Sequence, residues 1–360
     1  MGEEKVHTLL SYHELFSQYD LGEGHPYRGS RFPLTYSLLK QKSILKRQDV
    51  TLIDPHPASK EDLLRAHDPD YVELILKLAS RSAAYDSDTP LSPKILEAAM
   101  LMIGGEMEIG ARIMEGQAER GILIGGGFHH AGKTFGGGFC FFNDIAVTIE
   151  HLRDAFRLQR ALVVDFDVHA GNGTSDIYYD DPSVLLISIH QDPRTIYPGT
   201  GFIDQIGRGE GEGYNINIPL PPGTGDDTYL YALKEILIPV AREFQPQLIL
   251  ANGGSDAHFA DRLGDLNLTV NGFFKVSKLI SKASKESSRG RLMLLLCSGY
   301  NPQVLAQVWY SLICGILELD QIDVTDPYNP PQEDPTLRQR VEQTLNEIRR
   351  TFAQYWSSLR

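Results

Sequence analysis

The chain has 360 residues, 22% of them charged and 42% apolar, and a formal net charge of −13. No apolar run approaches the roughly 20 residues that cross a bilayer, and the acidic balance argues against a general nucleic-acid binder. Three scattered cysteines, Cys140, Cys297 and Cys314, exclude a disulfide framework or a four-cysteine zinc module and read as reduced thiols.

The opening MGEEKVHTLL is acidic where a signal peptide is basic, has no long apolar segment, and carries Val6 where a myristoylation signal needs a hydroxyl. A cytoplasmic protein is expected. Loop-like stretches rich in Pro, Gly and Asp near 20–35, 85–93, 191–226 and 324–336 are short, which predicts one domain over 1–360 rather than two joined by a linker. The first long helix is predicted over 94–117, with Ser92 as N-cap and Pro93 at the first helical position. Apolar strand-like runs follow at 121–124, 161–167, 184–189, 247–252 and 292–297. Helical patterns lie between and after them at 144–156, 228–243, 274–286 and 302–316. This alternation predicts an α/β fold with a mainly parallel sheet covered on both faces. A C-terminal amphipathic helix is predicted over 335–357, where Leu337, Val341, Leu345, Ile348, Phe352 and Trp356 recur every three or four residues.

Reactive groups in such sheets gather at the carboxyl ends of strands. Here Gly125–His130 follows the run at 121–124, Asp165, Asp167 and His169 end the next, and Asn252–His258 and Ser298–Tyr300 end two more. Strand alternation puts Asp165, Asp167 and His169 on one face, with Phe166 and Val168 on the other. Three ionisable groups in an apolar setting cannot stay bare, and a bound cation resolves the conflict. Asp167, His169 and Asp256 offer two carboxylates and an imidazole, a set that leaves a fourth position open as catalytic zinc sites do. His129 and His130 in GGGFHH could serve as general base and electrostatic partner, and Tyr300 as donor to a forming oxyanion. Tyr197, on the Pro-Gly turn of YPGTG, reads as either a plain loop or a pocket wall, and the GGGFC run could line a channel with Phe139.

Together GGGFHH, GGGFC followed by Asn143 and Asp144, DFDVHAGNG, YPGTG, GGSDAH and SGYN resemble the zinc-dependent histone deacetylase superfamily in order and approximate spacing, over about residues 20–320. That superfamily includes bacterial deacetylase-like amidohydrolases, acetoin-utilisation proteins and acetylpolyamine amidohydrolases. The resemblance implies the three-layer arginase/deacetylase fold, with a central eight-stranded, mainly parallel sheet, helices on both faces and a narrow tunnel to one metal. It implies that Asp167, His169 and Asp256 bind zinc, with ferrous iron as a substitute. His130 would be general base and then acid, oriented by Asn172, while His129 paired with Asp165 acts electrostatically and Tyr300 polarises the acyl carbonyl. Phe139 and Tyr197 would wall the tunnel, with Gly138 beside them, Leu263 near the base and Asp88 at the rim gripping a peptide backbone. A potassium site is implied at Asp165, Asp167, His169, Ser188 and Ile189, largely through backbone oxygens.

The implied reaction is hydrolysis of the amide on an acylated lysine of a protein or peptide, with no nucleic-acid or membrane partner; the oligomeric state is not set by the sequence. The main alternative is an acetylpolyamine amidohydrolase, and a catalytically silent acyl-lysine binding module is the second. Ureohydrolases share the fold but need a second aspartate after the late metal motif, where this chain has Ala257 and His258. GGGFHH, the Tyr197 loop and the run at 261–264 look most like the class IV branch, some of whose members remove long acyl groups. Two departures matter. Cys297-Ser298-Gly299 replaces a glycine run and adds bulk beside the acyl group, and Asn172 replaces the aspartate of some subgroups, which predicts a lower pKa for His130.

Overall fold

Among the described residues, eight strands pair in parallel: β1 (Thr8–Ser11), β2 (Val50–Ile53), β3 (Arg120–Ile124), β4 (Ala161–Asp165), β5 (Val184–Gln191), β6 (Asn215–Leu220), β7 (Leu248–Gly253) and β8 (Leu292–Leu296). This computed structural model describes residues 7–360; residues 1–6, on which the reading of the chain's start partly rests, lie outside them. The sheet order is β2-β1-β3-β8-β7-β4-β5-β6. Every residue of β1, β3, β4, β5, β7 and β8 is buried, the mark of a sheet covered on both faces.

The helices are α1 (Arg31–Gln41), α2 (Lys60–Leu63), α3 (Pro69–Ser80), α4 (Pro93–Met114), α5 (Asp144–Phe156), α6 (Asn172–Tyr178), α7 (Asp226–Phe244), α8 (Val270–Ser287), α9 (Leu305–Ile316) and α10 (Pro335–Phe352). α4 packs on α5 and β3, α8 packs between α7 and α9, and α10 docks on α7 and β6. No helix among the described residues is long and apolar enough to cross a membrane.

The five strands and six helices read from the sequence are present, 144–156 with the bounds expected and the others with shifted ends. Ser92 caps α4 by accepting the Ile95 amide, with Pro93 in the first turn. Asp226 lies inside α7 rather than before it, and its carboxylate accepts both the amide and the hydroxyl of Thr269, the N-cap of α8. α10 stops at Phe352, short of the expected 357, and Trp356 anchors the turn beyond it by donating its indole N–H to the Gly213 carbonyl.

One expectation needs correction. β4 ends at Asp165, so Asp167 and His169 do not share a strand face with it. Asp165 Oδ1 accepts the Asp167 amide at 3.2 Å, and Asp167 Oδ1 accepts the His169 amide at 2.9 Å. Each aspartate thus bonds the backbone two residues on, which draws the chain out of the ladder into a turn. The turn separates Asp165 from the other two, whose side chains are presented together.

Candidate active site

The carboxyl ends of β3, β8, β7 and β4, four neighbours in the sheet, deliver the polar groups to one place. The turn after β4 brings Asp167 and His169, and the segment after β7 brings Asp256. Their ligand atoms lie within 4.8 Å of one another, and all three side chains are buried. His169 Nδ1 stands 2.9 Å from Asp167 Oδ1 and 3.3 Å from Asp256 Oδ2. Burial opposes ionisation of His169, yet the two carboxylates outweigh it and hold the imidazole up at about 10. Burial, and then the charge of Asp167, push the Asp256 carboxyl up as well, to about 7. A cluster that draws positive charge this strongly, with Asp256 Oδ2 buried and accepting no hydrogen bond, fits a divalent cation.

The loop after β3 carries the two histidines. Its turn is fixed by Asp144, at the start of α5, whose carboxylate accepts the amides of Gly127 at 2.6 Å and Phe128 at 2.7 Å. His129 Nδ1 donates to Asp165 Oδ2 at 2.7 Å, and His129 Nε2 faces His130 Nε2 at 3.1 Å. Burial would lower the His129 pKa, but Asp165 and Asp167 prevail and raise it to about 9. His130 is pushed well below its ordinary value by burial and by the charges of His129 and His169. The Asn172 bond acts in the opposite sense, toward the charged ring, and does not offset them. His130 Nδ1 donates to Asn172 Oδ1 at 2.6 Å, which makes Nε2, 3.1 Å from His129 Nε2, the nitrogen that carries the lone pair.

Tyr300 follows β8. Asp261 Oδ2 accepts its amide at 2.7 Å and that of Asn301 at 3.2 Å, while Asp261 Oδ1 accepts those of Arg262 and Leu263. One carboxylate therefore holds both the Tyr300 turn and the Leu263 wall. Burial, then the charges of Asp256 and Asp167, raise the Tyr300 pKa, so the phenol keeps its proton and can donate it in a hydrogen bond. From the same turn, the Cys297 carbonyl accepts from the buried Arg31 guanidinium at 2.7 Å. Of the three residues replacing the glycine run, only Gly299 has a positive φ, +126°, so the left-handed conformation falls on the glycine that was kept.

A pocket of about 440 Å³ joins these parts. Its lining includes His130, His169 and Tyr300, the walls Gly138, Phe139, Tyr197 and Leu263, and Asp88. Phe139 holds a positive φ of +70°, its carbonyl accepts from the Tyr19 hydroxyl at 2.6 Å, and its ring meets that of Tyr300 edge-on at 5.8 Å. Gly138 is required: a Cβ there would lie 2.3 Å from His130 Cδ2. Tyr197 is half exposed and meets the His130 ring edge-on at 5.0 Å. Ser188 and Ile189 lie on β5, with Ser188 in register beside Asp165. His258 turns away from the cluster and bonds Asp326 at 2.7 Å. The sequence motifs did not disclose Asp144, Asp261 or Arg31 as supports. The Asp-Arg-Leu-Gly run and the Asn143-Asp144 pair held the signal for two of them; Arg31 left none.

Comparison with known proteins gives the family and the fold. The family model of the histone deacetylase domain matches residues 25–316. The chain is 32% identical to a probable deacetylase of Archaeoglobus fulgidus over 97% of this chain and 98% of that protein. It is 33% identical to the acetoin utilization protein AcuC of Bacillus subtilis over 85% and 82% of the two chains. Among solved structures, the HDA15 HD domain superposes with a TM-score of 0.87 at 26% identity, covering 99% of this chain and 97% of the other.

Proposed function

The chain belongs to the histone deacetylase family, a hydrolase acting on amides, and from that premise we propose that it removes acyl groups from lysine side chains with a divalent metal, zinc or ferrous iron, held by Asp167, His169 and Asp256. The observation that carries this reading is the convergence of that buried trio with His130 and Tyr300 at one pocket.

A cation bound there would polarise the acyl carbonyl and acidify a water. His130, neutral and aligned through Nδ1 by Asn172, takes the proton from the attacking water at Nε2. The Tyr300 phenol donates to the carbonyl oxygen as negative charge develops on it. His130 then returns the proton to the departing amine. His129, held cationic by Asp165, stays charged throughout and keeps His130 from binding a proton too early. Phe139 and Tyr197 flank the alkyl chain of the substrate, and Asp88 accepts from its backbone at the rim. A potassium ion near Asp165, Asp167, His169, Ser188 and Ile189 belongs to the same proposal, as do one domain over the chain and a cytoplasmic setting.

A second substrate reading has its own support. The carboxylates of Asp88 and Asp265 both line the pocket, where they would attract the distal ammonium of an acylpolyamine. Ratios of kcat/KM for acetyl-lysine peptides, long-acyl-lysine peptides and acetylpolyamines on one metal-loaded preparation decide between them. The lysine reading expects a peptide to lead. If acetylpolyamines beat every peptide, the substrate reading fails while the reaction stands. Stoichiometric metal with no hydrolysis of any substrate would instead mark a silent binding module.

A further inference from the structure

Ser298 stands where a glycine run was expected, on the turn between β8 and Tyr300, and it is buried to 4% exposure. Its hydroxyl donates to Asp256 Oδ1 at 2.9 Å. The Val168 amide donates to that same oxygen at 3.3 Å. The other oxygen, Oδ2, accepts nothing and is the one directed at His169 Nδ1, 3.3 Å away. Two donors on one carboxylate oxygen and none on the other divide the group into a fixed end and a free end. We propose that Ser298 is a positioning residue for the metal centre, its hydroxyl fixing which oxygen of Asp256 faces the cation. The inference rests on the reading that Asp167, His169 and Asp256 hold a divalent metal.

The hydroxyl is itself held in place. The Ser298 carbonyl accepts the Ser255 amide at 3.0 Å and the Trp309 indole N–H at 3.1 Å. One residue before it, the Cys297 carbonyl is pinned by Arg31 at 2.7 Å. Gly254 supplies the room: a Cβ there would lie 2.3 Å from Ser298 Oγ. A hydrogen bond from a fixed hydroxyl to an ionised carboxylate is directional and stronger than one between neutral groups. Such a bond to a metal-ligating carboxylate orients the ligand, and its loss costs about 10- to 100-fold in metal affinity. A glycine at 298 offers Asp256 no such bond. Without it, Asp256 Oδ1 keeps only the Val168 amide, and the carboxylate is less firmly oriented toward the position a cation would take.

The test is metal binding, read without catalysis. Zinc affinity is measured by chelator competition on the wild type and on Ser298→Ala, with Ser298→Gly as a second variant lacking the hydroxyl should the alanine not fold. Ser298→Thr restores it. Ser284→Ala removes a buried hydroxyl that bonds only the Ser281 carbonyl, within α8, and serves as the control. The expected result is a zinc Kd raised about 10- to 100-fold in the alanine or glycine variant, and unchanged within about threefold in the threonine and control variants. With cobalt in place of zinc, the visible spectrum of the alanine variant is expected to differ from that of the wild type, whereas a merely structural role would leave it unchanged. A variant without the hydroxyl that binds zinc within about threefold of the wild type and keeps its cobalt spectrum overturns the proposal. Failure of the wild type to bind one equivalent of any divalent metal overturns the metal-centre reading instead.

Discussion

His129 and His130 are adjacent in sequence and touch through their Nε2 atoms, yet their second nitrogens meet different partners, a carboxylate at Asp165 and an amide at Asn172. That difference assigns the charge. Asn172→Asp would place a carboxylate on His130 Nδ1, favour the imidazolium and raise its pKa. Because the neutral ring is the base, the acid limb of a kcat/KM profile is expected to move to higher pH by about 1–3 units. An unmoved limb would remove His130 from the role of base. Tyr300→Phe deletes a donor needed only as charge develops, so kcat should fall about 10²- to 10³-fold with little change in KM. At this scale the sequence is informative about which residues gather, as in GGGFHH and DFDVH, but the turn after β4 reads in it as continued strand. It is silent where partners are distant, as with Asp261 and the Tyr300 amide, or Ser298 and Asp256, because no local pattern records which oxygen meets which hydrogen.

Among the elements, β3 carries a buried charged residue that no function explains. Arg120 is 1% exposed, donates to the Ile316 carbonyl and pairs with Glu318 at 2.8 Å. Burial would raise the Glu318 pKa, but Lys285 and Arg120 hold it down at about 2. A folded pKa below the unfolded one means stability that is complete above the usual glutamate range near 4.5 and disappears as pH falls through about 2. Glu318→Gln should therefore cost about 1–3 kcal/mol at pH 7, and the gap to the wild type should close on acidification toward pH 2. Urea unfolding at a series of pH values measures it; a gap constant with pH would mean that the charge is not what matters. The same scale shows why some elements escaped a reading of the sequence. β1 and β2 have four residues each, too few to display a period. β6 contains Pro219, which argues against a strand but is tolerated because β6 lies at the sheet edge. Its Asn215 and Asn217 look solvent-facing yet are buried, their amides donating to the carbonyls of Gln205 and Phe202.

On the whole molecule, the C-terminal helix lies apart from the pocket. Val341, Leu345, Ile348 and Phe352 of α10 are fully buried against the body formed by α7 and β6, and Arg349 bonds Glu235 at 2.5 Å. Leu345→Ala is expected to cost about 2–5 kcal/mol of stability while the folded fraction keeps its kcat. A thermal melt together with an assay below the transition checks both halves; a lost kcat at full folding would couple α10 to the site. The 3.6-residue stripe made this helix legible, since its periodicity survives without knowledge of what it packs against. The sheet order was less so, because crossover connections leave no mark in local pattern.

That order sets a timetable for synthesis. β3 and β7 never touch, and β8 alone pairs with both, Leu292 beside Arg120 on one side and Ile249 on the other. A nascent chain that has released seven strands can form only two separate ribbons, β2-β1-β3 and β7-β4-β5-β6. Each then presents an open apolar edge, the kind of surface that pairs with other chains. Leu292–Leu296 is thus the closing seam, the strand that joins the half of the sheet bearing the histidines to the half bearing Asp167, His169 and Asp256.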